Sequence, residues 1–220
     1  MRRFDVCLFL IAVTRAALES AAAQATIPLV NIKSVDPTIV IELRYASPNN
    51  FTGQALYLPG TPALVHPEVA QRLAAAQTFL RHHKYGLKIW DAYRPRSVQA
   101  QLWKAAHNND YYVADPATGA GSLHTWGIAV DATLVDIRNR PVSMPTDYDN
   151  FTSAAMWIYR GTDFAVWSHL HLLQRAMGHA GFDGLRTEWW HFTITNWQRY
   201  LPEEVKHAAQ AFESQSKEEL

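Results

Sequence analysis

The sequence predicts an α+β fold, a single domain with a mainly antiparallel sheet and flanking helices. Three observations carry this. Strand-like and helix-like segments come in clumps rather than in strict βαβ alternation. The last strand patterns follow one another as hairpin-like neighbours. There is no internal repeat, low-complexity tract or interdomain linker in the 220 residues, and that length suits one ordinary core.

Taken in order, "LVNIKSV" (29–35) and "TIVIELRY" (38–45) read as short strands, from β-branched content and alternation. "SPNNFTGQ" (47–54) is a turn-rich loop. "HPEVAQRLAAAQTFLRHH" (66–83) is a helix with Pro67 in its first turn and an apolar stripe of Val69, Leu73, Ala76 and Leu80. Gly86 closes that unit, and "LKIWDAY" (87–93) follows as a buried strand. Arg94-Pro95 breaks it, and Ser97 is the expected N-cap of a helix through "VQAQLWKAAH". "GIAVDATLVD" (127–136) is a strand, and "SHLHLLQRAMGHAG" (168–181) is a helix closed by Gly181. "TEWWHFTIT" (187–195) is a strand, and "PEEVKHAAQAFESQ" (202–215) is a helix beginning at Pro202.

Composition narrows the function. Nearly half the residues are apolar, and formal net charge is zero with neutral histidines, which is globular rather than disordered. No basic cluster argues for nucleic acid. Two arginines precede an apolar run, Val6–Val13, and Ala23-Gln24-Ala25 fits a cleavage site. Residues 1–25 therefore read as a secretory signal and 26–220 as the mature domain. The run is too short to span a bilayer. The expected location is secreted or periplasmic, or cytoplasmic if the N-terminus stays uncut. Cys7, the one cysteine, would leave with that segment, so a metal site in the mature chain must use His, Asp or Glu. Eight tryptophans and nine tyrosines fit core packing or an aromatic-walled pocket.

Asp131 lies among Ile128, Val130 and Leu134 with no Lys or Arg nearby in sequence. A buried carboxylate needs a partner, and a metal ion is one. Most of the ten histidines have plain explanations as helix-end or polar-helix residues. His169 and His171 fall on different faces of a helix, which argues against a shared metal. His191, in the strand "EWWHF", joins His124 and Asp131 as a two-His, one-carboxylate set. Three protein ligands leave one open position, the pattern of a catalytic zinc. Glu188 then serves as a general base beside it. Arg94 is either one half of a local ion pair with Asp91 at a surface turn or a donor to a developing oxyanion.

These residues resemble a known family. "SLHTWGIAVD" matches the S-x-H-x-x-G-x-A-x-D pattern and "EWWHF" the E-x-x-H pattern of the D-alanyl-D-alanine dipeptidases related to the vancomycin-resistance enzyme. "WDAYRP", "RYASPNNFTGQALY", "RGTDF" and "LLQRAMGHAGF" extend the likeness over about residues 30–200. The resemblance implies the α+β fold shared by zinc D-Ala-D-Ala peptidases and the hedgehog domain. It implies one Zn2+ per chain on His124, Asp131 and His191, Glu188 as catalytic base and Arg94 stabilising the tetrahedral intermediate. It also implies a small dipeptide substrate, with Ser122, Tyr45 and Asp163 lining its pocket. Near Asp163 the chain departs from the family, with Ala165 in place of an acid and Arg160 in place of an apolar residue. That leaves open a carboxypeptidase acting on longer wall peptides, and, as another class, a non-enzymatic zinc-stabilised binding domain.

Overall fold

A computed structural model describes residues 28–207; the expected signal segment and Cys7 lie outside them. One sheet of five strands carries the fold, in the order β2 (Val40–Ile41), β4 (Tyr85–Asp91), β5 (Ala129–Asp136), β7 (Glu188–Ile194), β6 (Phe182–Leu185). Only the β2–β4 pair is parallel; the other three pairs are antiparallel. A two-stranded ribbon, β1 (Val30–Asn31) with β3 (Leu64–Val65), stands apart from it. A helical turn, α1 (Ile32–Val35), follows β1. The longer helices are α2 (Pro67–His82), α3 (Arg96–Ala105) and α4 (Phe164–His179). α2 packs against both α4 and β4. Among the described residues no helix is long and apolar enough to cross a membrane.

α2 forms where its pattern places it. Pro67 takes the first position, and His66 Nδ1 accepts from the Glu68 amide. Glu68 sits in the first turn and Arg81 and His82 in the last, as the helix dipole favours. The stripe of Val69, Leu73, Ala76 and Leu80 is buried, and each leucine gains about 1.5–3 kcal/mol from burial. Gln77 is buried in the same stripe. Its Oε1 accepts from the Leu87 amide at 2.7 Å, and its Nε2 donates to Thr38 Oγ1 at 3.0 Å.

Several local expectations are corrected. "LVNIKSV" gives two strand residues and then α1, because Asn31 Oδ1 accepts from the Lys33 amide and caps a turn. Gly86 lies inside β4, not at a helix end; an added Cβ would lie 3.3 Å from the Gln77 amide. α3 starts at Arg96 with Pro95 at the N-cap, so Ser97 is already helical. α4 starts four residues earlier than "SHLHLL", because the Asp163 side chain accepts from the Ala165 and Val166 amides. At the other end, Val205 and Lys206 amides bond to the Pro202 carbonyl; the rest of that expected helix lies outside the described residues.

Gly127 is the one glycine on which the site's geometry turns. It has φ +67 and closes the helical turn Leu123–Trp126 that carries His124. An added Cβ would meet Leu29 Cδ2 at 2.5 Å. Gly127→Ala is expected to destabilise the protein by about 1–3 kcal/mol from the left-handed backbone alone, read as a lowered urea midpoint.

Candidate active site

Strand register assembles the site. Asp91 on β4 pairs with Asp131 on β5, and Asp131 pairs with His191 on β7. Directly opposed residues in a sheet share a face, so these three side chains form one row across three strands. The row depends on a register shift between Ile89 and Asp91, since without it Asp91 would pair one position off. Bulges of this kind re-aim side chains next to active sites. A second shift lies between Gly184 and Leu185, beside Glu188. Strict alternation would put Glu188 and His191 on opposite faces, yet both line one cavity.

His124 reaches the row from its turn. His124 Nε2 lies 3.2 Å from His191 Nδ1 and 3.4 Å from Asp131 Oδ1, and His191 Nδ1 lies 3.1 Å from Asp131 Oδ1. Tetrahedral zinc with bonds of about 2.0–2.2 Å needs ligand atoms about 3.3–3.6 Å apart; one edge of this triangle lies in that span and the other two fall short of it by about 0.1–0.2 Å. The hydrogen bonding agrees. A carbonyl only accepts, so His124 Nδ1 donates to Ala92 C=O at 2.9 Å, which leaves Nε2 as a lone pair. Thr193 Oγ1, 3.1 Å from His191 Nε2, can accept that ring's proton and free Nδ1. Two lone pairs and a carboxylate oxygen then face one point, and a cation is what such a point requires. Burial alone would raise the Asp131 pKa, but the imidazoles of His124 and His191 outweigh it and hold the carboxyl well below its ordinary range.

Tyr148 supports this arrangement from the other oxygen, its hydroxyl donating to Asp131 Oδ2 at 2.7 Å. Partners that orient a ligand carboxylate commonly contribute 10–100-fold in metal affinity. Tyr148→Phe is expected to weaken zinc binding by about that factor, measured by competition of the metal-free protein with a chromogenic chelator.

Arg94 is not at an exposed turn. It is 7% exposed, and its partner Asp91 is 0% exposed. Arg94 Nε and Nη2 both reach Asp91 Oδ2, at 2.8 and 2.7 Å, and Tyr57 donates to Asp91 Oδ1 at 2.5 Å. The Arg94 Nη1 donates to Gln99 Oε1 at 2.8 Å, and Nη2 lies 3.7 Å from Asp131 Oδ2. Burial works against the guanidinium charge, but Asp91 more than offsets it, so Arg94 remains a cation. The Arg94 amide also bonds to the His124 carbonyl at 3.1 Å, tying the arginine to the turn that carries His124.

These groups surround a cavity of about 170 Å3. Tyr45, Arg94, Ser122, His124, Asp131, Glu188 and His191 all line it, so the structure brings together seven of the eight residues singled out from the sequence. Asp163 is the exception: it is exposed and caps α4. An acid the sequence reading passed over, Asp149, lines the cavity instead. Asp149 Oδ1 accepts from the Tyr45 hydroxyl at 3.2 Å, and Oδ2 accepts from the Phe51 amide at 3.2 Å. Burial pushes the Asp149 carboxyl up to about 7, and it pushes Glu188 up to about 7 as well. The stretch "DYDN" (147–150) holds both Tyr148 and Asp149, and its two acids around a tyrosine were the available signal. His169 and His171 take no part: His169 lies against Tyr85 and Ser143, and His171 against Trp167.

The aromatic content divides between core and pocket. Trp189 is fully buried, while Tyr45, Tyr112, Tyr148, Phe151 and Trp190 line the cavity.

The Peptidase_M15 family model, described as D-ala-D-ala dipeptidase, matches residues 25–213. A D-alanyl-D-alanine dipeptidase of Escherichia coli is 32% identical over 169 residues, covering 77% of this chain and 86% of that protein. A D-alanyl-D-alanine dipeptidase of Enterococcus faecalis is 29% identical over 175 residues, covering 70% and 84%. One of Enterococcus faecium is 26% identical over 170 residues, also covering 70% and 84%.

Proposed function

Because this chain belongs to the Peptidase_M15 family of D-ala-D-ala dipeptidases, and is therefore a peptidase, we propose that it hydrolyses the free dipeptide D-Ala-D-Ala to two D-alanines. His124, Asp131 and His191 would hold one zinc ion. When bound, zinc supplies Lewis acidity toward a carbonyl oxygen and toward water.

The rest of the chemistry falls to the chain. Glu188 takes a proton from the attacking water onto a carboxylate oxygen and hands it to the leaving amine. Burial holds the Glu188 carboxyl above its ordinary range, which favours its keeping the proton between the two transfers. Arg94, held charged by Asp91 and positioned by its bond to Gln99, offers N–H donors to the oxyanion as it develops. Asp149, with Tyr45 beside it, pairs with the ammonium of the dipeptide. Ser122, which also lines the cavity, is assigned to the carboxyl-terminal residue.

The single observation that carries the dipeptide reading is Asp149: an acid in the cavity, outside the metal triangle and hydrogen-bonded to Tyr45 and the Phe51 amide rather than to Arg94. A carboxypeptidase trimming longer wall peptides has no amine to hold there. The test joins a zinc assay of the purified protein to kinetics on D-Ala-D-Ala and N-acetyl-D-Ala-D-Ala. We expect stoichiometric zinc and faster cleavage of the free dipeptide. Faster cleavage of the acetylated one overturns the dipeptidase reading in favour of the carboxypeptidase. Zinc binding with no hydrolysis of either favours a binding domain.

The two raised carboxyls also set a pH dependence of stability. Glu188 and Asp149 keep their protons up to about pH 7 when folded but lose them in the ordinary carboxylate range when unfolded. Between those limits the native state binds more protons, so stability falls as pH rises. The metal-free protein is thus expected to lose thermal stability between about pH 4.5 and 7 from these groups. Glu188→Gln should flatten part of that slope in scanning calorimetry.

A further inference from the structure

Arg44 is buried, at 7% exposed, yet it has no place in the chemistry above. It does not line the active-site cavity. It faces a separate one of about 300 Å3, with Lys88, Trp90 and Asp147 among the walls. A buried guanidinium must be paired, and each of its nitrogens has an acceptor. Nε donates to the Asn49 carbonyl at 3.0 Å, Nη1 to Glu42 Oε1 at 3.2 Å, and Nη2 to Asp147 Oδ1. Glu42 and Asn49 are near neighbours in the chain, whereas Asp147 is 103 residues away.

The long-range contact reaches the metal triangle by a short route. Asp147 Oδ1 also accepts from the Tyr148 amide at 2.8 Å, and the Tyr148 hydroxyl donates to Asp131 Oδ2 at 2.7 Å. Arg44 Cζ lies 5.9 Å from the centroid of the Tyr148 ring and 5.2 Å from that of Trp90, within cation–π range. Trp90 packs on Tyr148 in turn, with ring centroids 5.4 Å apart. One cation therefore holds Tyr148 twice, by its main chain through Asp147 and by its ring. The next residue continues the grip. The Tyr45 ring meets the Tyr148 ring edge-on at 5.7 Å, and its hydroxyl donates to Asp149 Oδ1. Residues 147–149 belong to no strand or helix, so the direction of the Tyr148 hydroxyl is set by these contacts and not by a backbone repeat.

We propose that Arg44 is a positioning residue for the metal site: through Asp147 and the Tyr148 ring it aims the hydroxyl that orients Asp131. The inference rests on the zinc reading of the triangle and extends it. An arginine that only balanced Glu42, which also takes Lys88 Nζ at 2.5 Å, would act on stability alone. The test measures zinc affinity of the metal-free protein against a chromogenic chelator for Arg44→Met, Tyr148→Phe and the double variant. Methionine keeps a stem for the Trp90 and Tyr148 rings but has no donor. Arg44→Met is expected to weaken zinc binding about tenfold, the lower end for groups that support a ligand. In the Tyr148→Phe background the same change is expected to have almost no effect, because members of one network do not add. Unchanged affinity in Arg44→Met, or an undiminished loss in the Tyr148→Phe background, overturns the proposal. If Arg44→Met does not fold, Asp147→Ala takes its place in the cycle, from the end of the pair whose side chain is 69% exposed. If the native protein binds no zinc, the metal reading falls, and amide hydrogen exchange decides the positioning role. Faster exchange in Arg44→Met confined to the loop around Tyr148 supports it. Unchanged exchange there, or a rise spread over β2 and β4, ends it.

Discussion

Replacing Glu188 with glutamine is expected to lower kcat by about 10²–10⁴-fold, the span of general acid–base catalysis, while zinc content stays stoichiometric. Glutamine keeps the size and hydrogen-bonding oxygen of glutamate but cannot carry the proton. Glu188 stands outside the triangle of His124, Asp131 and His191, so the metal set is intact in this variant. Steady-state kinetics on D-Ala-D-Ala, with zinc measured on the same sample, separates the two roles. Unchanged kcat at full zinc loading would remove Glu188 as the base. Loss of zinc together with activity would make it a ligand.

Replacing Arg94 with alanine is expected to act on catalysis and stability together. Losing one oxyanion donor typically costs about 10²–10³ in kcat, and because the contact strengthens in the transition state, KM should move much less. The structure adds a second effect that the sequence did not suggest. Asp91 is fully buried and takes its charge balance from Arg94, with Tyr57 as its other partner. Removing one partner of a buried pair costs about 3–5 kcal/mol, because the remaining charge is stranded. A urea titration should show that loss, and Arg94→Ala with Asp91→Asn should recover part of the stability without recovering the rate. A change in KM alone would make Arg94 a ground-state binder.

How much of this was legible in the sequence depends on what kind of physics fixes each part. His124, Asp131 and His191 could be read because metal chemistry restricts ligand types and because a carboxylate among aliphatic residues calls for a partner. α2 could be read because its period of burial is carried by its own residues. Ser97 misled because a hydroxyl is a good cap in isolation, while Pro95 takes the N-cap two residues earlier. "LVNIKSV" misled because the capping oxygen of Asn31 competes with strand propensity and wins. Asp149 and Tyr148 lie in a loop without periodicity, and only the tertiary approach of that loop to Tyr45 and Asp131 gives them meaning. Asp163 carried the reverse lesson. An acid in a family-like stretch is here occupied with two amides at a helix start.

The row formed by Asp91, Asp131 and His191 limits how the gene can change length. Adding or deleting one codon within β4, β5 or β7 would shift a strand by one place and turn its inward set outward, so the carboxylate and imidazole would part even though no ligand was replaced. The segment between Ile137 and Asp147, which joins β5 to the loop carrying Tyr148, holds no residue of that row, and its tie to β5 is the single Val135–Pro141 bridge with the turn around Asp136. Insertions recovered from a selection for activity should therefore collect in that connection and be absent from the three central strands.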